Sequence, residues 1–117
     1  MTATGYIRAI FVKEDGTTIR DQEYFDRQKE AIEKYAAEHG CVVRNWIEES
    51  AKHVAWEALF DSPTDGVIIV YSADRVTRDV EGFIKAKDDL ATRGVELLTV
   101  EEIHPILQAL ADELASK

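Results

Sequence analysis

Three arginines carry the strongest chemical signal in this sequence. Arg75 and Arg78 stand in the run Ser72-Ala73-Asp74-Arg75-Val76-Thr77-Arg78-Asp79, directly after the unbroken apolar stretch at 66–71. That stretch reads as a strand buried on both faces. The run therefore leaves a strand and enters a helix, with Asp74 as the expected cap. Spaced three apart, Arg75 and Arg78 share one face of a first helical turn. The positive end of the helix macrodipole disfavours cations there. Two readings stand side by side. Either Asp74, Asp79 and Glu81 pair with the arginines, or guanidinium forks and helix amides converge on a phosphate. The third arginine, Arg8, sits in Tyr6-Ile7-Arg8 within an otherwise apolar strand, on the same face as Tyr6. On an edge strand it is a solvated side chain. On a central strand it must be paired or line a cleft.

Other reactive residue types offer less. His39, His53 and His104 lack metal-ligand spacing and read as surface or helix-end histidines. Cys41, the single cysteine, reads as a small buried hydrophobe that forms no internal disulfide. Ser72 lies beside Asp74 as an alternative nucleophile, but no general base is in view. Trp46 and Trp56 read as core residues rather than a base-stacking platform. No metal and no cofactor are expected.

The elements that must position these side chains alternate along the chain. Residues 5–12 read as a strand, Asp15-Gly16 as a turn, and 17–19 as a short returning strand. A helix is expected over 24–39, with Gln28, Ala31, Ile32, Tyr35, Ala36 and His39 on one face and Gly40 at its end. Strands follow at 41–47, 67–71 and 95–100, with a short helix at 54–60 and a longer one at 79–93. Val80, Phe83, Ile84, Lys87 and Leu90 share the inner face of the longer helix, and Gly94 ends it. Ile103, Ile106, Leu107, Leu110 and Leu114 mark a final amphipathic helix that either closes the core or forms an interface. This alternation predicts a single α/β domain spanning 1–117, a mostly parallel sheet of about four strands with helices on both faces. Ligands of such sheets gather beyond the carboxyl ends of the strands, here after Ile10, Ser50 and Ser72.

Composition narrows the partners. Fourteen basic residues against 23 acidic ones give a net charge of −9, which argues against a sequence-independent grip on DNA. A local basic pocket is compatible with that charge. No apolar run approaches the ~20 residues of a membrane span, and no secretory signal is visible at the start. With the lone cysteine, these features point to the cytoplasm.

The same residues resemble the resolvase/invertase family of serine recombinases. That family opens on Tyr-x-Arg-Val-Ser, and this chain has Tyr6-Ile7-Arg8-Ala9-Ile10. The family's first helix opens on a motif like Arg-Gln-x-x-Ala-Leu, matched by Arg27-Gln28-Lys29-Glu30-Ala31-Ile32. Its Asp-Arg-Leu-Ser/Thr-Arg motif is matched by Asp74-Arg75-Val76-Thr77-Arg78, the most specific part of the likeness. Gly94-Val95-Glu96-Leu97 and Val100-Glu101-Glu102 follow as the family has them. The resemblance implies a resolvase-like sheet of order 2-1-3-4, to which the Asp15-Gly16 turn adds an N-terminal hairpin extension. It implies phosphate contacts by Arg8, Arg75 and Arg78, geometric support from Asp74, and Gln28 facing the same pocket.

The departures shape the functional expectation. Where the family carries its nucleophilic serine, this chain has Ile10, flanked by Ala9 and Phe11. The family's mobile catalytic loop is replaced by 11–26, which reads as a rigid hairpin. A further active-site arginine is expected after the second strand, yet no arginine lies between Arg44 and Arg75, and Lys52 supplies charge without a fork. The family's long DNA-directing helix is absent or shortened to 103–117, and no separate DNA-binding domain is expected. The expectation is a recombinase-like domain without cleavage activity. It acts as a binding or regulatory protein through homodimerisation or pairing with a recombinase-family protein, with weak or no DNA binding. The alternative is a non-cleaving nucleic-acid or phosphate-binding module. A residual recombinase or phosphoesterase ranks below both.

Overall fold

A computed structural model describes residues 1–50, 54–76 and 80–101. In chain order the elements are β1 (Thr2–Ile7), β2 (Ile10–Val12), β3 (Thr18–Arg20), α1 (Gln22–Glu38), β4 (Val42–Glu48), α2 (Val54–Asp61), β5 (Val67–Val70), α3 (Val80–Thr92) and β6 (Glu96–Thr99), with a 3₁₀ turn at Ala73–Arg75. Strands β4-β1-β5-β6 form one parallel sheet in that order. Strands β2 and β3 form a separate antiparallel hairpin. Counting only the sheet strands, the order is the expected 2-1-3-4.

Both faces of the sheet are covered, which is why β5 is apolar throughout and buried throughout. On one face Ala3, Ile7, Val67 and Ile69 pack against Ile32 and Ala36 of α1. On the other, Tyr6, Ile68, Val70 and Leu97 pack with Trp56 and Leu59 of α2 and Phe83 and Leu90 of α3. Trp56 meets the Tyr6 ring edge-on at 5.2 Å. Trp46 is only half-buried, lying over Gly5, its partner in register. Lys87, expected on the inner face of α3, is exposed. The buried line runs from Phe83 directly to Leu90, seven residues on, and Lys87 falls beside it.

Sequence-local chemistry sets the helix ends. The Asp21 side chain accepts a hydrogen bond from the Tyr24 N–H at 3.0 Å and opens α1. Both α1 and α3 close in the same way. Gly40 (φ 72°) lets the Cys41 N–H reach the Ala36 carbonyl, and Gly94 (φ 78°) lets the Val95 N–H reach that of Leu90. Each pair joined by the longer bond is also buried together, so chain reversal and core packing are one event.

The first strand differs from its sequence reading. Instead of running through 5–12 it stops at Ile7, and Arg8 and Ala9 form a break before β2. The backbone groups of Arg8 turn to a side chain instead of a neighbouring strand. The Gln28 amide donates to the Arg8 carbonyl at 2.9 Å and accepts from its N–H at 3.4 Å. The hairpin after the break carries the expected turn, in which the Asp15 carboxylate accepts from both the N–H and the hydroxyl of Thr17. Arg20 anchors it to the sheet by pairing with Glu48 at the end of β4, bonding Gln22 and covering the Phe25 ring.

Candidate functional site

The sheet changes winding direction between β1 and β5, because the chain leaves β1 for β4 on one side and continues from β5 to β6 on the other. Carboxyl ends at such a switch point splay apart and leave a crevice. Arg8 follows β1, Tyr71 and Ser72 follow β5, and Glu101 follows β6. The Glu101 N–H bonds the Tyr71 carbonyl at 2.8 Å, which extends the β5–β6 pairing one step beyond the strands.

Arg8 and Arg75 come together here. Both are half-buried. The Arg75 guanidinium lies 4.9 Å from the centroid of the Tyr24 ring on α1. Burial lowers the Arg75 pKa, the Glu101 carboxylate opposes that, and the nearby Arg8 charge reinforces it. Among the described residues, Arg8 and the exposed Glu101 carboxylate are the charges that act on Arg75 at this corner. Arg8 is held by its backbone, through Gln28. Among the described residues its guanidinium makes no hydrogen bond and no ion pair. Next to these groups lies a cavity of about 110 Å³ lined by Tyr24, Arg27, Gln28 and Tyr71. Arg75 borders it through its stack on Tyr24, and Arg8 through its clamp on Gln28.

The carboxyl end of β4 is built differently. Glu49 is 1% exposed. Its carboxylate accepts from the Tyr6 hydroxyl at 2.6 Å, the Trp56 N–H at 2.6 Å, the Ala55 N–H at 2.9 Å and the Ser50 N–H at 2.8 Å. Two of those donors are orphan amides of the first turn of α2. Burial by itself pushes the Glu49 carboxyl up, but the hydrogen bonds from Tyr6, Trp56, Ala55 and Ser50 outweigh it, and the group ends below its ordinary value. Tyr6 moves the other way. Burial, then its bond to Glu49 and the charge of Glu49, push its phenol far above the usual range, with Arg8 opposing.

Several sequence expectations take new form. Gln28 does border the cavity, but it is buried and its amide serves the Arg8 backbone. Ile10 is half-buried and pairs with Arg20 in the hairpin. Asp74 is not a cap: it is the middle residue of the 3₁₀ turn, whose cap is Ser72. Arg75 accordingly sits in that turn and not in the first turn of a long helix. Arg78, Lys52 and the apolar positions Ile103, Ile106, Leu107, Leu110 and Leu114 lie outside the described residues. His39 is the expected helix-end histidine, stacked on Tyr35 at 4.0 Å. The sequence reading missed Glu49, Tyr24, Tyr71 and Glu101. One signal was there for Glu49: a tyrosine in mid-strand of a buried sheet needs an acceptor for its hydroxyl.

The chain matches the family described as Resolvase, N terminal domain, over residues 3–113. It therefore belongs to that family. Among solved structures it is similar to the C-terminal catalytic domain of ISC1926 TnpA, an IS607-like serine recombinase. That likeness has a TM-score of 0.64 and 22% identity, and covers 99% of this chain and 79% of that one. It is also similar to the N-terminal catalytic domain of TP901-1 integrase, with a TM-score of 0.68 and 17% identity, covering 99% of this chain and 93% of that one. At these identities the structural likeness establishes the fold. No curated protein matches the sequence. Among the described residues, no helix is long and apolar enough to cross a membrane.

Proposed function

We propose that this resolvase-family domain binds a phosphate group at the β1–β5 corner without cleaving the ester it belongs to, and serves as a binding or regulatory protein. The observation that carries this reading is the Arg8 guanidinium, half-buried beside Arg75 yet without a hydrogen-bond or ion-pair partner among the described residues. Two like charges at one corner repel, and a bound anion relieves that repulsion. Ile10 supports the absence of cleavage, since a hydrocarbon side chain cannot attack phosphorus. No arginine stands between Arg44 and Arg75 to replace the one the resemblance leads one to expect. Each such loss removes ~10²-fold or more in rate. The net charge of −9 works against long polyanions, so duplex DNA is held weakly or not at all. A homodimer, or a complex with a recombinase-family protein through Ile103, Ile106, Leu107, Leu110 and Leu114, is the proposed setting for regulation.

Calorimetric titration with inorganic phosphate, run beside a denaturing-gel assay for covalent protein–DNA adducts, tests this. The reading expects phosphate binding in the wild type, its loss in Arg8→Ala, and no adduct on any duplex. Any adduct would overturn it, and one that survives Ser50→Ala and Ser72→Ala would place the nucleophile elsewhere.

A further inference from the structure

The cavity beside the two arginines has walls that phosphate alone does not explain. Of its four lining residues two are phenols, Tyr24 on α1 and Tyr71 at the end of β5, and both are half-buried. Tyr24 is held rigidly for a residue at the edge of a cavity. The Arg75 guanidinium stacks on it at 4.9 Å, and Phe11 of the hairpin meets it edge-on at 5.6 Å and 83°. Phe11 itself stays 46% exposed. Gln28, which lines the cavity, spends one amide hydrogen and one lone pair on the Arg8 backbone and has a second of each. Two phenols, an amide and the Arg27 side chain thus line one small concavity, with Arg75 over the Tyr24 ring and the Arg8 backbone on Gln28 at its border.

We infer that the ligand of this corner is an unpaired nucleotide, with its base against Tyr24 and Tyr71 and its phosphate on Arg8 and Arg75. The inference rests on the phosphate-binding reading above and adds the class of molecule that carries the phosphate. Base–aromatic stacking tolerates any base, because every base has a π face. A duplex offers its phosphates but keeps its base faces stacked inside, so it cannot use the phenols. The cavity, about 110 Å³, has room for a single ring system and not for a base pair. The net charge of −9 selects in the same direction, because one or two phosphates tolerate it better than a polyanion does.

The test is calorimetric titration of the full chain with adenosine 5′-monophosphate, ribose 5-phosphate and inorganic phosphate, at low and physiological salt. A 5′-phosphorylated single-stranded trinucleotide is added to separate a free nucleotide from a strand end. The expected result is adenosine 5′-monophosphate or the trinucleotide binding at least roughly tenfold tighter than the two probes without a base. Tyr71→Leu keeps the apolar volume and the backbone carbonyl that Glu101 uses. It should remove that preference. Equal affinity for all four probes overturns the nucleotide inference and leaves the phosphate reading intact. No binding by any probe removes both. Should Tyr71→Leu fail to fold, the comparison of probes on the wild type still decides.

Discussion

The carboxyl ends of β4 and β1 are neighbours in the sheet, yet they treat buried charge in opposite ways. At β4, Glu49 is almost fully enclosed and meets four donors, so its charge is consumed by the fold. At β1, Arg8 is half-buried and bonded only through its backbone among the described residues, while a second guanidinium stands close by. A charge whose partners are all supplied by the chain is structural. A charge whose geometry is fixed while its head group stays uncommitted is set up for something that arrives. The hairpin meets both corners. Arg20 joins it to Glu48 at the end of β4, while Phe11 meets Tyr24 beside Arg75.

If that contrast holds, substitutions at the two corners will affect different quantities. Glu49→Gln has the largest expected effect on stability. It places an amide NH₂ against donors and should cost about 2–3 kcal/mol in denaturant unfolding. Phosphate binding by the refolded fraction should stay unchanged. A loss of binding without a loss of stability would reverse the roles assigned to the two corners. Gly5→Ala comes next. Its Cβ would lie 2.5 Å from the Trp46 ring, so the indole must shift at a cost of roughly 1–3 kcal/mol, readable as a lowered Tm.

The pH dependence follows from the same β4 corner. Glu49 is held below its ordinary 4.5, so its contribution to stability is complete above that pH and disappears as pH falls through the lowered value. Asp65 adds to this acid limb. The Thr4 hydroxyl lowers its pKa most, burial opposes, and Thr2, Asn45 and the charge of Arg44 lower it further from 3.8. Tyr6 gives the alkaline limb. Its pKa is raised from 10.0, so its contribution is complete below that pH and is lost as pH climbs above it. Stability measured from pH 3 to 11 should fall at both ends, and Tyr6→Phe should remove the alkaline fall. The smallest expected change in stability is that of Arg8→Ala, within about 0.5 kcal/mol. The same variant should lose phosphate binding, so the two readouts part company at this residue.

Much of the fold was legible because its signals are local. The apolar run at 67–70, the helical spacing of Gln28, Ile32 and Ala36, and the glycines after α1 and α3 each state a backbone preference within a few residues. The alternation of these elements then leaves few right-handed topologies. The break at Arg8 was not legible, because Tyr6-Ile7-Arg8-Ala9-Ile10 holds no glycine or proline and a single arginine is compatible with a continuous strand. The interruption comes from Gln28, twenty residues away. The arginines announced themselves by residue type. The aromatic wall did not, since Tyr24 read as part of a helix start and Tyr71 as the end of a strand, and only the fold makes them line one cavity. Glu48 and Glu49 adjoin in sequence, yet one pairs with Arg20 at the surface and the other is buried beneath Tyr6.

The central claim is that the β1–β5 corner still holds phosphate. Fluorescence anisotropy of a labelled single-stranded oligonucleotide tests it most directly, titrated with the wild type and with Arg8→Ala/Arg75→Ala at low and physiological salt. The account expects salt-sensitive binding by the wild type that the double substitution abolishes. Absence of binding at low salt, or binding that the double variant retains, would contradict it.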